Sequence, residues 1–269
     1  FLHEGLGSDS MWRDFPQAVS DATGCEAIVY SRYGYGRSDP LQADRHVRYM
    51  HDEALAALPE LLDQLGLERP ILFGHSDGGS IALIHAGACP RPVSAVVVMA
   101  PHVLVEDISV TSIAQAKVAY ETTDLRQRLG RYHADVDSAF WGWNRIWLHP
   151  DFRAWNIEEY LPRIPCPVLA IQGEDDEYGT MEQIERIARG AADVELVKLS
   201  ENRQRFAGHA CGVVLSSPEV VRTCRDKLAA YEFLVRQGID TPRTWTPEQV
   251  LRRERHEFPY FLKPRFGSA

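Results

Sequence analysis

Gly74-His75-Ser76-Asp77-Gly78 sets a serine between two glycines at G-x-S-x-G spacing, and its flanks read as a strand followed by a helix. The run Pro70-Ile71-Leu72-Phe73 before it has the character of a short buried strand, and Gly79-Ser80-Ile81-Ala82-Leu83-Ile84-His85-Ala86 after it that of a helix start. A serine on such a turn is held in a strained backbone that lifts its Oγ above the sheet. The glycines two residues to either side keep side chains from colliding across the turn. The chemistry this suits is attack by Ser76 on an acyl carbon. A hydroxyl alone is a poor nucleophile, so the site also needs a base, a carboxylate to orient that base, and N–H donors for the oxyanion.

Three further segments bear on that chemistry. Leu2-His3-Glu4-Gly5-Leu6-Gly7-Ser8 is a glycine-rich turn of the kind that offers a backbone N–H to an oxyanion. Ser31-Arg32-Tyr33-Gly34-Tyr35-Gly36-Arg37-Ser38 follows the strand-like Ala27-Ile28-Val29-Tyr30. Pro167-Val168-Leu169-Ala170-Ile171-Gln172-Gly173-Glu174-Asp175-Asp176 is a buried run ending in glycine and carboxylates. In this order and spacing the segments resemble the α/β-hydrolase family, from Phe1 to about Leu199.

The resemblance implies an α/β-hydrolase fold with a helical lid at about 101–162, and a catalytic chain order of Ser, then Asp or Glu, then His. Ser76 takes the first place. Asp176, three residues after Gly173, takes the second, with Asp175 as the alternative. In the family the histidine follows the last strand, here Val194–Leu199, within a few residues. Gln204 stands near that place, and His209, in Ala207-Gly208-His209-Ala210, comes a few residues late. His209 is the candidate base. The oxyanion donors are the N–H of Asp77 and that of Gly5, with Leu6 as the alternative to Gly5. Glu4 stands where the family commonly has glycine; its carboxylate either repels an anionic intermediate or points into solvent. His3 and His75 read as packing and turn residues.

The elements that must position these residues alternate along the chain. Ala27–Tyr30, Ile71–Phe73, Val93–Met99 and Val168–Ile171 are strand-like. His51–Leu65 is helical, with Leu55, Leu58, Leu61, Leu62 and Leu65 marking one face. Such alternation predicts a mostly parallel, doubly wound sheet whose ligands bind beyond the carboxyl ends of its strands. Phe1-Leu2-His3 would end the family's third strand, so the usual opening pair is expected to be missing and an edge left unpaired. Between Pro101 and Pro162, Phe140, Trp141, Trp143, Trp147, Phe152 and Trp155 punctuate polar helices. Most are expected to form that segment's own core, with one or two facing a substrate.

A formal net charge of −9 over 269 residues argues against nucleic-acid or anionic-membrane partners, which need a concentrated basic face. The apolar stretch Val93–Val105 is interrupted by Pro101 and His102 and is too short to span a bilayer. Nothing resembles a signal peptide. Cys25, Cys89, Cys166, Cys211 and Cys224 show no C-x-x-C spacing, which favours mostly buried, reduced thiols and a cytoplasmic setting. The expected partner is a small-molecule acyl substrate, with no metal or organic cofactor.

After Leu199 the sequence changes. Glu201–Phe206, Ser216–Val221, Cys224–Leu228 and Gly238–Pro242 resemble the start of an ATP-grasp ligase, and Phe258–Ala269, with Lys263, its first nucleotide-binding strand. The expected organisation is a hydrolase core over 1–199 and a truncated ligase-like fragment over 200–269. The expected function is a serine hydrolase acting on a carboxylic ester or similar acyl substrate. The same parts also serve amidases, thioesterases, lactonases and C–C bond hydrolases. Dehalogenases and epoxide hydrolases are disfavoured, because those relatives carry a carboxylate where this chain has Ser76. A catalytically silent binding protein and an ATP-dependent fusion are the rival classes.

Overall fold

The computed structural model of the chain describes residues 1–88, 91–199, 226–238 and 241–252. It divides into two compact units, Phe1–Leu199 and Ser200–Ala269. In the first, the apolar runs become four parallel strands: β1 (Ile71–His75), β2 (Ala95–Met99), β3 (Val168–Gln172) and β4 (Val194–Lys198), hydrogen-bonded in that order. The β-branched Val96, Val98 and Val168 are buried, as suits strands covered by helices. The register pairs His75 with Met99, Met99 with Ile171, and Gln172 with Lys198, which lines up the carboxyl ends of all four. One residue further, Ser76 N–H still donates to Met99 O at 2.9 Å, and Ala100 N–H to Ile171 O at 2.9 Å. The segments carrying Ser76 and Asp176 therefore leave the sheet at the same edge.

Beyond β1 the expected strand at Ala27–Tyr30 does not form. Leu2 makes a single parallel bridge to Gly74, and the Phe1 amino group donates to Ile28 O at 2.7 Å.

The helix expected over 51–65 runs as α2 (Tyr49–Asp52), a π-helical turn (Glu53–Ala57) and α3 (Leu58–Gln64). Its buried face is Tyr49, Met50, Ala54, Leu58 and Leu62, whereas Leu55 and Leu65 are 39% and 47% exposed. The leucine face read from the sequence is thus corrected. A π turn carries an extra residue and rotates the helix face, and it frees backbone carbonyls. Here His85 Nδ1–H donates to Ala54 O at 2.8 Å.

His85 sits on α4 (Asp77–Ala88), which connects β1 to β2 and is buried along almost its whole length. Gly87 of α4 must be glycine, because a Cβ there would overlap the Tyr160 carbonyl. Between β2 and β3 lies a helical insertion: α5 (Asp107–Thr122), α6 (Leu125–Leu129), α7 (Val136–Trp147) and two 3-10 turns, Pro150–Ala154 and Glu158–Arg163. Asp135 caps α7 by accepting from Ser138 N–H. Inside the insertion Tyr120 stacks on Phe140 at 3.7 Å, and Phe152 stacks on Trp155 at 5.4 Å. α8 (Glu182–Gly190) returns the chain to β4. In the second unit Asp226 caps a helix over Lys227–Arg236, and a Thr246–Gln249 capping box starts another over Pro247–Leu251.

The glycines should divide by what a Cβ would meet. Gly66→Ala, at φ +66° with open space around it, should cost about 1 kcal/mol. Gly78→Ala drives a methyl into the Leu2 carbonyl and should cost about 3 kcal/mol or prevent folding. Urea unfolding of both variants checks the ranking.

Candidate active site

Ser76 has φ +52°, a left-handed conformation that non-glycine residues seldom adopt. The strain is imposed from both sides. A Cβ at Gly74 would overlap the backbone of Gly78, and one at Gly78 would overlap the Leu2 carbonyl. α4 begins at once, with Ser80 N–H donating to Ser76 O at 3.0 Å. The Asp77 N–H is at the first position of α4, so it has no intrahelical acceptor and lies at the positive end of the helix dipole.

The Asp77 side chain is fully buried and turned into the protein. It accepts from Tyr49 Oη at 2.6 Å and from Trp147 Nε1 at 3.3 Å. Burial and the Asp77 charge push the Tyr49 phenol well above its ordinary range, so it stays a donor.

The glycine-rich turn packs against this helix start. A Cβ at Gly5 would overlap the Trp143 ring and meet Asp77 Oδ2 at 3.0 Å. Of the insertion's aromatics, Trp143 and Trp147 thus reach the site, while Phe140, Phe152 and Trp155 pack within the insertion. The Glu4 side chain is partly exposed and partnered by a histidine. Its carboxylate lies against Gly7 and 3.4 Å from His75 Nδ1. Burial raises the Glu4 carboxyl, but the hydrogen bond and charge of His75 outweigh it and leave the group below its ordinary value.

His3 has more than a packing role. It is fully buried, its Nδ1–H donates to Glu4 O at 2.7 Å, and its Nε2 accepts from Arg32 N–H at 3.0 Å. His133, from the insertion, does the same from the other side. Its Nδ1 accepts from Gly36 N–H at 3.0 Å and its Nε2–H donates to Leu6 O at 3.2 Å. Burial holds both imidazoles below their usual range, His3 with a further push from Arg32.

Asp176 leaves β3 through a tight turn in which its Oδ1 accepts from Tyr178 N–H at 2.8 Å and Gly179 N–H at 3.1 Å. Those bonds fix one carboxylate oxygen. Asp175 is exposed. His209, Gln204, His256 and Lys263 lie outside the described residues. His102, not singled out by any sequence motif, is buried beside the site, 4.8 Å from the Trp147 ring. Burial lowers its imidazole, against the pull of Asp77, Asp176 and Glu106. Among the described residues no group of three or more His, Cys, Asp or Glu could hold a metal ion. Nor is any described helix long and apolar enough to cross a membrane.

A family model described as "Alpha/beta hydrolase family" matches residues 1–223. The chain belongs to the α/β-hydrolase family. RutD of Pseudomonas savastanoi pv. phaseolicola, named as a candidate carbamate hydrolase, is 28% identical to this α/β hydrolase over 253 residues, covering 85% of this chain and 93% of its own. A 2-hydroxy-6-oxo-6-phenylhexa-2,4-dienoate hydrolase of Comamonas testosteroni is 24% identical over 230 residues, covering 74% and 78%. Among solved structures, the enol-lactonase of Burkholderia xenovorans LB400 superposes with a TM-score of 0.56 at 18% identity, covering 76% of this chain and 84% of that one. The esterase EaEST of Exiguobacterium antarcticum does so with a TM-score of 0.57 at 19% identity, covering 76% and 87%. These superpositions establish the α/β-hydrolase fold with its parallel sheet, and the named relatives are hydrolases.

The two neutral histidines under the glycine-rich turn give this hydrolase a pH signature. An unfolded histidine titrates near 6.5, whereas folded His3 and His133 titrate lower. Below pH 6.5 the unfolded chain binds protons that the folded chain refuses, so this stability is complete above pH 6.5 and is lost as pH falls. His133→Gln keeps a neutral donor and acceptor. Urea titrations between pH 7 and 5 should show its slope reduced by up to about 1.4 kcal/mol per pH unit relative to wild type.

Proposed function

We propose that this α/β hydrolase is a serine hydrolase that cleaves a small carboxylic ester or related acyl substrate through an acyl-enzyme on Ser76. The observation that carries the reading is Ser76 itself, at φ +52° on a strand-to-helix turn with the Asp77 N–H, at the first position of α4, beside it. A residue held in so uncommon a backbone is worth its strain where Oγ must stand clear of the sheet.

In this reading the Ser76 hydroxyl gives its proton to a base and its Oγ attacks the acyl carbon. The carbonyl electrons move onto oxygen, which takes hydrogen bonds from the N–H groups of Asp77 and Gly5. Collapse of that intermediate expels the alcohol, protonated by the base, and water then repeats the sequence to release the acid. The carboxylate is Asp176, whose backbone bonds leave Oδ2 to orient the base. The base is His209, from the chain order of the family. Trp143, which lies against Gly5 and 6.5 Å from the Tyr178 ring, puts apolar surface next to that oxyanion donor and favours a substrate with alkyl or ring character.

The relatives' names include a carbamate hydrolase, a hydroxy-oxo-phenylhexadienoate hydrolase, an enol-lactonase and an esterase. Hydrolysis of a carbamate, a lactone or an ester is acyl transfer to water from a heteroatom, and a small acyl substrate is the common ground of those three. The lid reading of the insertion and the ligase-like reading of residues 200–269 stand beside this proposal on sequence grounds. The cytoplasmic setting is part of the same proposal.

A fluorophosphonate probe should label wild-type protein at Ser76, read by mass spectrometry of the modified peptide, and Ser76→Ala should take up none. Labelling elsewhere, or none in wild type, overturns the serine mechanism and leaves a silent fold.

Separately, Asp176→Asn should lower turnover of an activated short-chain ester by roughly three orders of magnitude or more, and Asp175→Asn by less than about threefold. Steady-state kinetics on the two variants checks this, and a reversed ranking would move the orienting carboxylate to Asp175.

A further inference from the structure

Arg32 is 1% exposed, and its position explains how the glycine-rich turn keeps its shape. Its Nη2 donates to Glu4 O at 2.9 Å and to His3 O at 3.2 Å. Glu4 O also accepts from His3 Nδ1–H at 2.7 Å and from Gly7 N–H at 3.1 Å. Three donors therefore converge on one carbonyl. In a planar trans peptide the C=O and the following N–H point in opposite directions. A Glu4 carbonyl drawn towards Arg32 turns the Gly5 N–H the other way. That N–H donates to no group among the described residues. Gly5 itself lies against Asp77 and Trp143, beside the start of α4.

We propose that Arg32 is the positioning residue of the oxyanion site: its buried guanidinium holds the Glu4 carbonyl inward and so presents the Gly5 N–H to the anionic oxygen. The proposal rests on the serine-hydrolase reading above and selects Gly5 over Leu6 as the second donor. A flipped Glu4–Gly5 peptide would lose all three bonds to Glu4 O at once and leave the guanidinium its bond to His3 O. Arg32 also stays charged. Burial works against the cation, but Tyr35, Glu53, Asp77 and Tyr49 around it outweigh that and hold it protonated. The turn that carries Arg32 thereby contributes positive charge behind the site without touching substrate.

The experiment compares wild type, Arg32→Met and Arg32→Lys on p-nitrophenyl acetate, with a short-chain trifluoromethyl ketone as inhibitor. The ketone's adduct with serine carries an oxyanion, so its affinity reports the same donors. Arg32→Met should lower kcat about 10²-fold, the cost of one oxyanion donor, and weaken the ketone by a similar factor. KM should stay within about threefold, and Arg32→Lys, which can still reach a carbonyl, should recover part of kcat. If the Met variant does not fold, His3→Leu, which removes a different donor from Glu4 O, takes its place with the same readouts.

A folded variant whose kcat is unchanged, or whose ketone affinity is unchanged while kcat falls, overturns the proposal. A crystal structure of the variant decides independently of activity. The Glu4 carbonyl should have turned away from the residue 32 side chain, and a peptide in its wild-type orientation overturns the proposal. Failure of the hydrolase reading looks different, as a wild type that neither hydrolyses the ester nor reacts with a fluorophosphonate.

Discussion

Backbone lies directly on backbone where Gly78 meets the carbonyl of Leu2, and every other part of the site is set from that contact. With a side chain at Gly78 the start of α4 would stand off from the Phe1–His3 segment, and Gly5 would leave its place beside Asp77. With a side chain at Gly74 the turn itself could not close over Gly78. Ser76 is caught between these two approaches. Its left-handed φ costs about 1–2 kcal/mol, which the closing bonds to Met99 O and from Ser80 N–H help to offset. The result is a serine whose position depends on main-chain sterics rather than on its own packing.

Around that contact the protein buries charges it could not tolerate singly. Arg32 and Asp77 are almost without exposure, and a buried ion stripped of its partner costs about 3–5 kcal/mol. Arg32 stacks its guanidinium over Tyr35 at 5.0 Å, and Arg45 covers the same ring at 4.9 Å and that of Tyr49 at 5.0 Å. Tyr49 returns the connection to Asp77, and Tyr30 Oη donates to Glu53 at 3.2 Å. The aromatic rings let two cations share a small volume, because ring faces accept positive charge that another polar side chain would have to solvate. Such a cluster is poor at adding stability but good at fixing orientation, which is what the main-chain groups of residues 3–6 require.

What the sequence disclosed follows from how local each signal is. The serine turn was legible because its glycines act within five residues of one another. β1, β2 and β3 were legible because each is a short apolar run, whereas β4, Val194-Glu195-Leu196-Val197-Lys198, was placed by the order of the family's elements. The phase of the helix over 49–64 was not. Its π turn is answered by His85, a residue of another element, so the leucine pattern alone puts Leu55 and Leu65 inside when both are exposed. Ala27–Tyr30 has strand composition, yet a strand is made by its partner, and the bond it receives from the Phe1 amino group is not a ladder. Arg32 stood in a noted motif without a role, because its work is done on carbonyls 28 and 29 residues away. His102 carried no motif at all, and its place beside Trp147 arises from the insertion folding back.

The same distance in sequence ties the insertion to the chemistry. His133 belongs to the loop after α6, yet it bonds Leu6 O with one ring nitrogen and Gly36 N–H with the other. The bond from Gly36 needs the neutral ring: the acceptor nitrogen would carry a hydrogen in the imidazolium and face the Gly36 N–H head on. Trp143 and Trp147 approach from the neighbouring α7, one over Gly5 and one bonded to Asp77. Residues 133–147 therefore touch the glycine-rich turn, the Arg32 segment and the start of α4. A movement of that stretch must break at least one of these contacts, so the placement of the insertion and that of the glycine-rich turn are coupled through hydrogen bonds.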